Sequence, residues 1–137
     1  MADKPFRVLP RVTPWNRHFW QGGAEGKLVF LRCSDCATWI HPPSPVCPDC
    51  HGKNLEPEAI SGRATVLTYT LDHQAWVPAP DHPWAMAIVE IAEQQGLRLM
   101  TNIVNCPAEQ VRVGMQLRVV FEQHDDVYVP LFEPVQT

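Results

Sequence analysis

From Gly62 onward, apolar and polar positions alternate along the chain. Leu67, Tyr69 and Leu71 are separated by Thr68, Thr70 and Asp72, and Leu117, Val119 and Phe121 lie among Gln116, Arg118 and Glu122, with Val120 the one exception. A period of two is the pattern of strands that bury one face. Between these runs, residues 84–92 are apolar except for Glu90, as in a strand covered on both faces. Residues 97–104 follow across Gln94-Gln95-Gly96, a hairpin-type connection. Pro107 can open one helical turn over 107–111, Gly114 turns the chain toward Gln116, and Asp125-Asp126 turns it into a last strand over 127–132. The expected fold is mainly β. Five strands with a short helix between the third and fourth follow the order of an OB-type barrel, a partly open Greek-key closure.

Upstream of Gly62 the pattern changes. Thr13 reads as an N-cap, Pro14 as the first helical position and Gly22-Gly23 as the stop, so a short helix is expected, with Trp15, Phe19 and Trp20 as an aromatic face. Residues 27–32 read as a strand running directly into Cys33. The expected divisions are an N-terminal helical segment over 1–26, a cysteine-bearing module over 27–58 and the barrel over 59–137.

The cysteine-bearing module carries the clearest chemistry. Cys33-Ser34-Asp35-Cys36 and Cys47-Pro48-Asp49-Cys50 are two C-x-x-C turns separated by ten residues. Each such turn aims two sulfurs at one point, and two of them build the tetrahedral thiolate cage that zinc accepts. Pro42, Pro43 and Pro45 stiffen the short loop between them. A disulfide framework belongs to oxidising compartments, and a thioredoxin-like redox motif needs a single C-x-x-C in a βαβ setting, so metal is the better reading. Iron takes the same four thiolates and stays open beside zinc. Four sulfurs leave no position for water, which makes the expected role structural. His41 and His51 lie beside the cysteines as spare donors and are read as packing or surface residues. Cys106, with no His or basic neighbour in sequence, is read as an inert thiol.

Composition narrows the function classes. A length of 137 residues suits one core plus one small satellite module. The net charge of −4 offers no general attraction for phosphate backbones or anionic membranes, and no apolar run is long enough to cross a bilayer. No secretory h-region follows Met1, so a soluble, cytoplasmic protein is expected. Only 19% of residues are charged, while 14 prolines and 5 tryptophans are many for this length; a surface covered by a partner fits this balance, but ordinary apolar exposure with prolines between short strands fits composition alone better. There is no phosphate-binding glycine loop, G-x-S-x-G elbow or H-E-x-x-H helix. His73, Asp81 and His82 surround a proline-rich loop and read as solvated polar residues, so no catalytic set is assigned. Residues 33–137 carry five Lys/Arg against thirteen Asp/Glu, which disfavours nucleic acid as a partner.

The order of these motifs is familiar. The aromatic helix is followed by Gly26-Lys27-Leu28-Val29-Phe30-Leu31-Arg32 before the first cysteine pair, by His41-Pro42-Pro43 between the pairs, and by Ser61-Gly62-Arg63-Ala64-Thr65-Val66 after them. Gly114-Met115, Val119-Val120-Phe121-Glu122 and the closing Val129-Pro130-Leu131-Phe132-Glu133-Pro134 extend the match over about residues 15–135. The sequence resembles the bacterial and archaeal OB-fold family with a rubredoxin-like zinc ribbon, domain of unknown function 35. It departs from that family where glycine often follows the second cysteine of each pair, with Ala37 and His51 in those places and Gly52 one residue late.

The resemblance implies one structural zinc and a role beside a larger enzyme. The first expectation is a non-catalytic subunit of a thiolase-like acyltransferase or aldolase complex, acting on acyl-CoA or polyketide-type acyl groups. The alternative is an acyl-CoA-binding partner of a MaoC-type enoyl-CoA hydratase or acyl-CoA dehydrogenase, and a nucleic-acid-binding module is third. Aromatic anchors carry most interface energy. Trp15, Phe19, Trp20, Trp76 and Trp84 are therefore the expected partner contacts, against the competing reading that Trp15 and Trp20 pack on the ribbon as a second small core.

Overall fold

The computed structural model describes residues 6–74 and 83–135. Trp76, Asp81 and His82 lie outside the described residues. Among the described residues, eight strands form two sheets. β1 (Leu28–Cys33), β2 (Trp39–Ile40) and β3 (Leu55–Ile60) make an antiparallel sheet in the order β2-β1-β3, and β4 (Arg63–Asp72), β5 (Trp84–Ile91), β6 (Arg98–Ile103), β7 (Gln116–His124) and β8 (Val127–Pro134) close a barrel in the order β4-β5-β6-β8-β7. A 3₁₀ turn over Ala108–Gln110 stands between β6 and β7, with Pro107 just before it. This is the expected OB arrangement.

The barrel strands follow their sequence pattern with one instructive break. Ala64 and Val66 of β4 are buried, and Tyr69 and Leu71 pack against the same core, but Leu67 is at the surface. The pairing of β4 with β5 slips between Val66 and Thr68. A bulge adds one residue and reverses the inward phase, so the strand points even positions inward before it and odd positions after it. Ala85, Ala87, Val89 and Ile91 of β5 are buried, while Met86 on the other face is at the surface. Residues 84–92 therefore do not form the doubly covered strand that their composition suggests; the second face, with Trp84, Met86, Ile88 and Glu90, is only partly covered.

The barrel closes weakly between β6 and β8, which run parallel and share the single pair Ile103 and Phe132. Pro130 lies on β8 beside this seam and has no N–H for a ladder bond. Its carbonyl accepts instead from the buried Thr101 hydroxyl at 3.1 Å.

β3 was not legible as a strand. It holds Glu56, Pro57 and Glu58, and a proline is tolerated there because β3 is an edge strand of its sheet. It pairs with β1 from Cys33–Leu55 to Leu28–Ile60 and so runs straight through the division expected at residue 58. β2 is two residues long, too short for any periodicity. Its edge is completed by the barrel: the Gln94 amide accepts from Trp39 N–H at 2.9 Å and donates to Trp39 C=O at 3.0 Å.

The helix α1 spans Arg17–Gln21, shorter than expected. Thr13 does not cap it; its N–H donates to Asn16 Oδ1 at 2.7 Å. The α-helix does stop at Gly22, its C-cap, as expected, and Gly22 and Gly23 then begin a 3₁₀ turn that ends at Gly26 in the left-handed region. Their role is close approach. A Cβ on Gly23 would stand 2.5 Å from Tyr128 Cβ and 2.6 Å from Phe121 Cδ1, on the β7–β8 hairpin.

One core serves both sheets. Phe19 of α1, Leu28, Phe30, Trp39 and Ile60 of the small sheet and the barrel residues Val66, Val89, Leu117 and Phe132 belong to a single buried cluster. A second, smaller cluster of Leu31, Cys33, Ile40 and Cys47 lies under the cysteine turns.

Candidate metal centre

The two cysteine turns are built alike. Ala37 N–H donates to Cys33 C=O and His51 N–H to Cys47 C=O, at 2.8 and 3.0 Å; Cys33 N–H donates to Thr38 C=O and Cys47 N–H to Gly52 C=O, both at 2.9 Å. Each turn thus folds back so that its two sulfurs face one side. Backbone N–H groups face the sulfurs as well, from Asp49 to Cys47 and from Gly52 to Cys50, each at 3.4 Å.

All four Sγ atoms lie within 4.8 Å of one another. Cys33 and Cys50 are 3.6 Å apart at sulfur, as are Cys36 and Cys47. Tetrahedral sulfurs at the zinc bond length stand about 3.8 Å apart, so the donors already have the spacing a zinc ion requires. The pKa values of Cys36 and Cys50 are driven in opposite directions. Hydrogen bonds with Thr38, at its hydroxyl and its backbone, hold Cys36 down to about 6, whereas Cys50 is pushed up to about 12, because the lowering by the Gly52 N–H is outweighed by bonds with the Cys33 and Cys36 sulfurs and by burial. A dication at the centre removes that conflict by favouring all four thiolates.

The remaining candidates fall outside this centre. His51 sits exposed on its turn and His73 is exposed at the end of β4. His41 packs against both Phe19 and Phe30, which are themselves neighbours. Burial pushes the Cys106 thiol up, which fits an inert residue.

The aromatic candidates separate by burial. Phe19 is 4% exposed and belongs to the core, leaving little of its ring at the surface, whereas Trp15 is 61% exposed. Trp20 is partly buried against the core and meets Phe19 edge-on at 4.8 Å. Trp84 lies under the Arg7 guanidinium, 5.7 Å from its ring.

A feature the sequence did not announce lies over the β6–β8 seam. Trp20, Met86, Leu99, Met100, Leu131 and Arg7 line a mostly apolar groove of about 240 Å³. Arg7 holds the N-terminal segment to the groove's edge through Glu122 and through Asn102 Oδ1 at 3.1 Å. Burial alone pushes the Glu122 carboxyl up, but hydrogen bonds from Arg7 and His124 prevail and hold it below the usual range. No helix among the described residues is long and apolar enough to cross a membrane.

Comparison with known proteins matches these parts in order. Residues 20–56 match the rubredoxin-like zinc ribbon domain of ChsH2, and residues 57–122 its C-terminal OB-fold domain. A DUF35 domain-containing scaffold protein of Methanocaldococcus jannaschii is 35% identical over 118 residues, covering 80% of this chain and 82% of that protein. A probable enoyl-CoA hydratase alpha subunit of Thermomonospora curvata is 30% identical over 132 residues, which is 96% of this chain. The chain spans only 41% of that subunit's length. Among solved structures, a chain of the Ltp2-ChsH2(DUF35) aldolase superposes with a TM-score of 0.81 at 29% identity, covering 92% of this chain and 98% of that one. A rubredoxin-like ribbon with four gathered sulfurs fits one structural zinc per chain. With its ribbon, its five-stranded barrel and its scaffold-protein relatives, the chain belongs to the DUF35 family of OB-fold proteins with a rubredoxin-like zinc ribbon.

Proposed function

We propose that this chain is a scaffold subunit that holds together a complex acting on acyl-CoA thioesters, without supplying catalytic groups of its own. The observation that carries this reading is its likeness, across nearly the whole of both chains, to the DUF35 chain of an aldolase. The metal site agrees with it. Cys33, Cys36, Cys47 and Cys50 would each give zinc one thiolate, and an ion so enclosed has no open position at which to polarise a carbonyl or activate water. The chain's own contribution is then geometric: zinc fixes the ribbon, and the shared core fixes ribbon, helix and barrel into one body. The preferred partner is a thiolase-like aldolase or acyltransferase, which makes or breaks the carbon–carbon bond.

A second reading is a hydratase partner, favoured by relatives named as enoyl-CoA and 3-oxo-4,17-pregnadiene-20-carboxyl-CoA hydratase alpha subunits. The two are separated by the identity and activity of the enzyme that copurifies. Trp15, Trp20, Trp76 and Trp84 remain the proposed contacts, with Trp15 the most open of those among the described residues. The test is purification of the tagged chain from its own host, followed by identification of the associated enzyme and assay for retro-aldol cleavage and for hydration. Isolation of the chain with an aldolase or acyltransferase supports the first reading, and isolation with a hydratase supports the second. A chain that elutes alone, with neither activity, rules out both.

A further inference from the structure

Among the described residues outside the metal centre, two histidines each bury one ring nitrogen that has no hydrogen-bond partner. The His41 ring, just beyond β2, stacks on Phe30 of β1 with centroids 4.6 Å apart and planes 15° apart, and lies 4.5 Å from the Phe19 ring of α1. His41 Nδ1 and His18 Nε2 are both buried and have no hydrogen-bond partner. The cluster sits where the helix, the small sheet and the barrel core meet, because Phe19 and Phe30 belong to the cluster of residues shared by all three.

A neutral imidazole can serve there as a flat, weakly polar ring stacked on Phe30 and packed at its side against Phe19. An imidazolium is disfavoured, since the buried nitrogen of each half-buried ring has no hydrogen-bond partner to accept its proton. On the α1 side, the titratable group acting on His41 is His18, whose charge would have the same sign; on the β1 side the neighbour is Phe30. No carboxylate among the described residues offsets a charge on either ring.

We propose that His18 and His41 form a protonation-sensitive clasp that holds α1 against the ribbon and barrel when both rings are neutral and releases it when they are charged. The consequence reaches the groove over the β6–β8 seam, since Phe19 and Trp20 of α1 line it. The direction follows from burial, which pushes His41 down to about 4, with the nearby His18 adding to it; His18 is lowered by burial as well. In the released state the rings titrate near their ordinary value of about 6.5. The released state therefore binds more protons between about pH 6.5 and 4. The clasp is fully closed above that window and weakens as pH falls through it.

The test is a titration of the zinc-loaded chain from pH 7.5 to 4, following the histidine rings by NMR and the tryptophan emission together, with bound metal measured at each point. The expected result is that the His41 ring stays neutral well below pH 6.5. Tryptophan emission then changes reversibly at lower pH while zinc is still bound, and His41→Phe, which keeps the stack, moves that change down by about one pH unit or more. A His41 ring that titrates near 6.5 in the wild type overturns the proposal, and this readout stands even if the variant does not fold. An emission change that coincides with zinc loss, or that is unmoved in His41→Phe, overturns it equally.

Discussion

Ala37 and His51, each following the second cysteine of its turn, have φ values of 65° and 63°. This left-handed conformation explains why the family tends to place glycine there: an L side chain in it is opposed by its own carbonyl at roughly 1–2 kcal/mol. Ala37→Gly and His51→Gly should therefore each stabilise the zinc-loaded chain by up to about 1 kcal/mol, read as a rise of a few degrees in melting temperature. A fall would mean that the side chains make contacts worth more than the strain. Gly52 is glycine for a different reason, space, because a Cβ there would lie 2.6 Å from Asp35 Oδ2. The ligand spacing was legible in the sequence, and so was the departure from glycine; the left-handed turn that gives the departure its meaning is visible only in the backbone. The aromatic residues show the same limit. Trp15, Phe19 and Trp20 are equivalent as composition, but only Phe19 is fully buried. Phe19→Ala should lower stability by about 3–5 kcal/mol with or without a partner. Trp15→Ala should leave melting within about 0.5 kcal/mol while weakening association by on the order of 2 kcal/mol. Denaturation and copurification of the two variants check both halves.

Among the elements, the barrel strands were readable because period-two alternation survives in β7 and in each half of β4. What escaped was whatever depends on a distant partner. The bulge at Leu67 is set by pairing with β5, β3 is a strand only because β1 offers it an edge, and β2 is completed by a glutamine side chain from the β5–β6 connection. The Gly22-Gly23 pair was visible as a break but not as a contact. Its purpose is to let the 3₁₀ turn lie directly on Phe121 and Tyr128 of the β7–β8 hairpin. Gly23→Ala should lift that turn and destabilise the chain by about 1–3 kcal/mol, the usual effect of overpacking, measured by urea unfolding. Unchanged stability would show that the turn is not seated on the hairpin as described.

In the whole molecule, ribbon and barrel are not independent. Phe30, Trp39 and Ile60 of the small sheet share a buried cluster with the barrel, while only the smaller cluster around Cys33 and Cys47 depends directly on the metal. Removing zinc by chelation, or one ligand by Cys36→Ser, should release one metal ion per chain and also lower the barrel's melting temperature. A barrel that melts at the same temperature with and without zinc would show that the two sheets are separate units. Elemental analysis that finds iron would change the metal but not this coupling.

The account's central claim is that the chain organises chemistry performed by another subunit. Its most direct test is turnover with acyl-CoA substrates by the purified zinc-loaded chain, by the enzyme it copurifies with, and by the two together. The account predicts no turnover by the chain alone, and activity in the recombined pair well above that of the enzyme alone. Robust retro-aldol cleavage, thiolysis or hydration by the chain alone, abolished by a point mutation within it, would contradict it.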